Sequence, residues 1–310
     1  MINELILGDS ITILKNFPSE FINVIISDIP YGICYDEWDI LHNNTNSALG
    51  GSSVSQEKNG TLFKRRGKPL NGWSNADKKI PKEYQDWCSL WATDWLRVLL
   101  PGASCFIFAG RRYVHRCIVA LEDAGFTFRD MLAWKRVTAP LRSQRLSEIY
   151  KRRGDMLNAT KWKDWRVANL RPEFEPILWF QKPYKIGTTV ADNVLKFEVG
   201  AWNEHAFDLC KTSEFEQLSL SNIISVPYNK NDYGLHETQK PLQLMEFIVS
   251  LVTLKNAIVL DPFAGSGTTC LAAKNLERNY IGIEIDPKNH AVATERLNNP
   301  FKQIKLEDIV

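Results

Sequence analysis

The sequence predicts an α/β fold, a doubly wound and largely parallel sheet built from both ends of the chain. Short β-rich apolar runs end in a small or acidic residue, as buried parallel strands do when their carboxyl ends present polar groups. Segments with helical spacing alternate with those runs. The chain has 310 residues, 44% of them apolar and 24% charged, enough to bury one core or two.

Composition excludes several classes. Gly (17) and Pro (14) are too few for a fibrous repeat or wholesale disorder. No apolar run approaches the roughly 18 residues of a membrane span. The opening MINELILGDS carries neither the basic nor the apolar region of a signal peptide, so a cytoplasmic chain without membrane contact is expected. Cys34, Cys88, Cys105, Cys117, Cys210 and Cys270 stand without CxxC or paired spacing and read as reduced thiols. The histidines (His42, His115, His205, His236, His290) lack the spacing of a metal site, so no metal is expected.

Each element follows in order. Leu5 to Leu7 runs into Gly8-Asp9, Ile11 to Phe17 reads as a helical patch, and Val24 to Ile26 runs into Ser27-Asp28. Residues 42–60 are rich in Asn, Ser and Gly with no hydrophobic period. With the basic knot Lys64-Arg65-Arg66 they make 42–80 a mobile loop. From Pro81, Tyr84, Trp87, Cys88, Trp91, Trp95 and Leu99 recur at helical spacing, and Pro101-Gly102 is read as the stop. Ala103 to Ala109 is a strand, Tyr113 to Ala124 a helix and Phe126 to Trp134 a strand.

The rhythm breaks over 136–225, read as an inserted or appended second unit. From Lys135 to Lys185 there are 13 Lys and Arg against 5 Asp and Glu, on a chain whose net charge is +2. Such a basic island is the footprint of a phosphate-binding face. After Pro241 come an amphipathic helix, a strand at Ala257 to Leu260, a helix at Thr268 to Leu276, a strand at Tyr280 to Ile285 and a helix at His290 to Leu297. The α/β domain is thus divided into 1–135 and 226–310.

Two motifs carry chemistry. In IVLDPFAGSGTT a strand ends at Asp261 and a turn with Gly265 and Gly267 leads into a helix. The glycines let a ligand approach the main chain, and the helix start at Thr268-Thr269 offers free N–H groups. YIGIEID then supplies a strand ending in acid, placed to accept ribose hydroxyls: Glu284 is the first choice and Asp286 the second. In Asp28-Ile29-Pro30-Tyr31-Gly32, Asp28 and the Ile29 or Pro30 carbonyl are acceptors, and Tyr31 is a stacking face. Together they suit an exocyclic amino group, although the same residues also make a good strand-ending turn.

With TQKP at Thr238–Pro241, the chain resembles the S-adenosylmethionine-dependent DNA amino-methyltransferases over roughly 3–35 and 230–300, and more weakly over 81–135. DIPYG resembles their catalytic tetrad, with Ile29 replacing the usual first proline. The order, tetrad before glycine turn, resembles the circularly permuted β group. The resemblance implies a Rossmann-like methyltransferase fold, S-adenosylmethionine as cofactor, and methyl transfer to adenine N6 of a flipped base at a specific duplex site. Cytosine N4 and RNA adenine are the alternatives; a protein glutamine would leave the basic region idle, and an inactive DNA-binding scaffold is remoter. A nicotinamide dehydrogenase fits poorly, because the turn lacks the third glycine of GxGxxG.

Residue by residue, the resemblance makes Asp28, Ile29, Pro30 and Tyr31 catalytic. Asp261, Phe263, Gly265, Ser266, Gly267 and Thr268 would line the cofactor with Asp28. Glu284 would take the ribose hydroxyls, and Lys240 would sit near the methionine carboxylate. Asp9 resembles the acid that accepts the adenine amino group, and equally reads as a cap for the helix near Ile11. The region 136–225 would recognise the target. DNA contacts are expected from Arg65, Arg66, Arg142, Arg145, Lys151, Arg152, Arg153, Lys161, Lys163 and Arg166, with Trp162 and Trp165 either beside them or in the core. Family members are often dimers, and a cognate restriction enzyme is a partner to look for.

Overall fold

The computed structural model describes residues 2–32, 77–136, 141, 143–210, 220–226 and 239–299. The strands, in chain order, are β1 (Glu4–Leu7), β2 (Ile22–Asp28), β3 (Leu99–Phe108), β4 (Thr127–Lys135), β5 (Gln144–Arg145), β6 (Arg166–Val167), β7 (Phe174–Gln181), β8 (Ile223–Ile224), β9 (Ile258–Asp261) and β10 (Asn279–Glu284). The helices are α1 (Ser10–Ile13), α2 (Ile80–Val98), α3 (Val114–Asp123), α4 (Leu146–Arg152), α5 (Met156–Lys161), α6 (Val190–Phe197), α7 (Leu242–Val252), α8 (Thr268–Asn275) and α9 (Pro287–Asn298).

Eight strands form one sheet in the order β1-β10-β9-β2-β3-β7-β4-β8. All of its pairings are parallel except those of β7, which runs antiparallel to both β3 and β4. Alternation along the strands feeds two cores. Cys105 and Ile107 of β3 pack with Trp91 and Trp95 of α2 and Cys117 and Leu121 of α3. Phe106 and Phe108 pack on the other face with Leu244, Phe247 and Ile248 of α7. The expected doubly wound, largely parallel sheet is therefore present. Among the described residues no helix is long and apolar enough to cross a membrane.

Two expectations are corrected. Pro101-Gly102 does not end α2: the helix closes at Val98, and β3 already begins at Leu99. Ile22 pairs with Leu99 but Val24 pairs with Ser104, so the Pro-Gly pair sits in a strand irregularity. There Gly102 has φ +84°, and an added Cβ would lie 2.2 Å from Asn193 Nδ2 of α6. Residues 136–225 are not a unit apart from the sheet either. β7, written FEPILWFQ and buried over most of its length, stands between β3 and β4, and β8 extends the edge. Among the described residues, β5, α4, α5 and β6 form a small layer outside that sheet, closed by the Gln144↔Val167 and Arg145↔Arg166 pairs. A basic composition masked the apolar strand that follows it.

The position of the site follows from this order. From neighbouring central strands, the chain continues one way from β2 to β3 and the other way from β9 to β10. In an open α/β sheet, the crevice beyond the carboxyl ends at such a switch point is where ligands bind.

Candidate active site

β2 and β9 pair in parallel at Val24↔Val259 and Ile25↔Leu260, which brings both acid-tipped ends together. The Ser27 hydroxyl donates to Asp261 Oδ1 at 2.7 Å. Beyond them opens a cleft of about 370 Å³ lined by Asp28 to Tyr31, Gln239 and Lys240, Asp261 to Ser266, Glu284 and the Gly8–Ile11 turn. The two motifs therefore share one crevice.

The Asp28 end is more elaborate than the sequence suggested. Ile29 is buried, 2% exposed, in the core with α2 and α3. The Pro30 carbonyl accepts the Tyr84 hydroxyl at 3.1 Å, so one of its lone pairs is occupied. The Lys240 ammonium, 6% exposed, lies 2.5 Å from Asp28 Oδ2 and 3.2 Å from Glu175 of β7. Glu175 also accepts the Tyr31 hydroxyl, and Arg136 stands 3.4 Å from its other oxygen. Among the described residues, Asp28 Oδ1 is buried without a geometric hydrogen bond, as are both polar atoms of the Gln239 amide.

Electrostatics follow from burial and charge. Burial pushes the Asp28 carboxyl above the usual range; Lys240 opposes this and Glu175 adds to it. Burial also disfavours ionised Glu175, yet Lys240, the Tyr31 hydroxyl and Arg136 hold its carboxyl below the usual range. Burial works against the charge on Lys240, but the two carboxylates hold its proton more tightly than usual. Burial and both acids raise the Tyr31 hydroxyl, so it stays a neutral donor. Lys240 is thus bound to the acid at the β2 tip, and it also lines the cleft. Glu175 was missed in the sequence, where a lone acid inside a basic segment gives no local signal.

The two glycines of the turn have different surroundings. Gly265 (φ +51°) faces open space, with nothing within 4 Å of an added Cβ. Gly267 (φ +75°) does not line the cleft: its added Cβ would lie 2.9 Å from Ala293 Cβ of α9, so this glycine lets α8 and α9 approach. Ser266 and Thr268 lie in the lining, tied by Arg296 to the Ser266 carbonyl at 3.1 Å and the Thr268 hydroxyl at 2.8 Å. Glu284 accepts the Gly265 and Asp286 N–H groups at 2.7 and 2.8 Å. Asp286, the alternative acid, caps α9 through the Lys288 N–H. Asp261 also accepts the Phe263 N–H at 3.2 Å, and burial pushes its carboxyl up to about 6. Asp9 lines the cleft and also caps α1, accepting from the Ile11 N–H and the Thr12 hydroxyl.

Of the expected DNA contacts, Arg65, Arg66 and Arg142 lie outside the described residues, as do Thr238 and most of the 42–80 segment. Arg145, Lys151, Arg152, Arg153, Lys161, Lys163 and Arg166 are all exposed and all belong to the small β5–α4–α5–β6 layer. Arg145, Lys151, Lys163 and Arg166 line a groove of about 390 Å³ there. Trp162 and Trp165 pack edge to face at 5.3 Å, and Trp165 is 61% exposed, so this pair is not core.

A nucleotide-sized cleft, an acid-tipped strand and a glycine turn at a switch point define a nucleoside-cofactor enzyme. The DNA methylase family model matches residues 22–295, and the chain belongs to that family. It is 57% identical over 298 residues to the type II methyltransferase M.HindIII of Haemophilus influenzae, covering 95% of this chain and 96% of that one. The type II methyltransferase M.HinfI of Haemophilus influenzae is 27% identical, over 96% of this chain and 68% of that one. Among solved structures, the PvuII DNA methyltransferase (cytosine-N4-specific) superposes with a TM-score of 0.61 at 17% identity, covering 100% of this chain and 91% of that one. An M1.HpyAVI–SAM complex superposes with 0.52 at 24% identity, covering 95% and 98%. S-adenosylmethionine is the cofactor this family implies, and the residues fit it. Gly265 leaves room for a bulky ligand, Glu284 offers buried acceptors, and the unpartnered Gln239 amide awaits polar groups.

Proposed function

We propose that the chain methylates the N6 amino group of adenine at a specific site in duplex DNA. S-adenosylmethionine supplies an activated methyl group on a sulfonium. The observation that carries the reading is the shared cleft: Asp28 and Tyr31 lie in the same lining as Gly265 and Glu284. An aromatic amino nitrogen is a weak nucleophile because its lone pair is delocalised into the ring. Asp28 and a neighbouring carbonyl accept its N–H bonds, localise that pair and aim it along the transfer axis. With the methyl donor bound, Asp28 would also be placed to take the proton that the amino group loses on methylation.

A base within a duplex cannot reach this depth, so the target is flipped and stacked on Tyr31. The exposed cations of the β5–β6 layer hold the phosphates, and individual arginines read guanine edges. Adenine is favoured by the acid at position 28, which the N6 type of the resembled family shares. Cytosine N4 is the second reading, because the matched family covers both N6 and N4 methylation. The type II label of the relatives supports a modification role beside an endonuclease of the same specificity in a bacterial or phage host.

The test is modification-sensitive sequencing of DNA from cells expressing the protein against cells with an empty vector. N6-methyladenine at one short site is expected. N4-methylcytosine would replace the base assignment, and unmodified DNA would overturn the proposal.

A further inference from the structure

We propose that Glu175 is a positioning residue for methyl transfer: from the antiparallel strand β7 it holds Lys240 and Tyr31 against Asp28, making Lys240 the carboxylate's counterion. This deepens the proposed function and rests on it.

Three separate elements converge here. Asp28 ends β2, Lys240 lies two positions before the start of α7, and Glu175 lies in β7, where it pairs with Trp134 of β4. Lys240 reaches both acids, at 2.5 and 3.2 Å, and its ammonium also lies 5.4 Å from the Tyr31 ring centroid. Arg136, just after β4, completes the set at 3.4 Å from Glu175. Two carboxylates thus face two cations, which offsets part of the cost of burying charge there. The arrangement is asymmetric: Oδ2 faces Lys240, whereas among the described residues Oδ1, buried on the Tyr31 side, makes no geometric hydrogen bond. If Glu175 were only a fold anchor, its surroundings would not need to include the ammonium that touches Asp28.

Among the described residues, the titratable and charged groups around Asp28 are Lys240, Glu175, Tyr31 and Asp261, with Arg136 behind Glu175. Lys240 lowers the proton affinity of Asp28 and Glu175 raises it, so removing them has opposite effects.

The experiment titrates the Asp28 carboxyl by 13C NMR in cofactor-free protein, the signal being assigned with Asp28→Asn. It then measures the acid limb of kcat on unmodified genomic DNA with labelled S-adenosylmethionine. Lys240→Met should raise the Asp28 midpoint by about one pH unit. Glu175→Gln, which removes the charge but keeps polar atoms for Lys240 and Tyr31, should lower it by about as much. Glu175→Ala, which releases Lys240, should titrate higher than Glu175→Gln and lose kcat. Equal midpoints and kcat in those two variants overturn the positioning role. The acid limbs should move in the same directions, and Lys240→Arg should stay nearer to wild type. Midpoints that do not move, or that move the same way in both variants, overturn the inference. If Lys240→Met fails to fold, an unchanged or raised midpoint in Glu175→Gln overturns it alone. A wild-type protein that labels no DNA overturns the proposed function instead, and the cofactor-free titration keeps the two failures apart.

Discussion

At the scale of the residue, the two glycines of the AGSGTT turn differ in what they face. Gly265 opens on the cleft, while Gly267 sits against Ala293 with φ +75°. Gly267→Val should therefore cost about 2–4 kcal/mol of stability, from left-handed backbone strain and overpacking. Gly265→Ala should cost only about 1–2 kcal/mol of stability but weaken cofactor binding by about tenfold. Urea denaturation and calorimetric titration with S-adenosylmethionine check both, and equal effects on binding would contradict the assignment. The sequence made both glycines visible but not their surroundings, because a GxG spacing says nothing about which neighbour packs on which Cα. Lys240 shows the same limit. TQKP placed it near the site, but only the fold reveals that Glu175, 65 positions earlier, draws it onto Asp28.

At the scale of the element, strands with a local signature were legible and the strand without one was not. β1, β2, β9 and β10 each carry an apolar run ending in a small or acidic residue, which is a period any window can detect. β7 follows a basic, irregular stretch, and its partners β3 and β4 lie far back in the chain. Its place in the sheet is a non-local fact, and so is the role of Glu175. The β5–α4–α5–β6 layer is the complement: its charge was legible, while its compact form was not. If this layer holds phosphates, Arg145→Glu with Lys163→Glu should weaken duplex binding and reduce the slope of log K against log salt by about 2. Cofactor affinity should not change. Fluorescence anisotropy across a salt series reads both, and an unchanged slope would remove the layer from the DNA interface.

At the scale of the whole molecule, the parallel sheet aligns two motifs separated by more than 220 positions. Ser27 beside Asp261 is the physical link between them. Chain order does not disturb this, because β2 and β9 are neighbours in the sheet whichever is made first. Fold class and cofactor turn were therefore readable from strand tips alone. The most direct test of the central claim is to incubate duplex DNA, single-stranded DNA and RNA with methyl-labelled S-adenosylmethionine, digest to nucleosides and locate the label. The account predicts label in N6-methyldeoxyadenosine from duplex DNA, lost by about 10²- to 10³-fold in Asp28→Ala. Label from RNA alone, or a fully active Asp28→Ala, would contradict it.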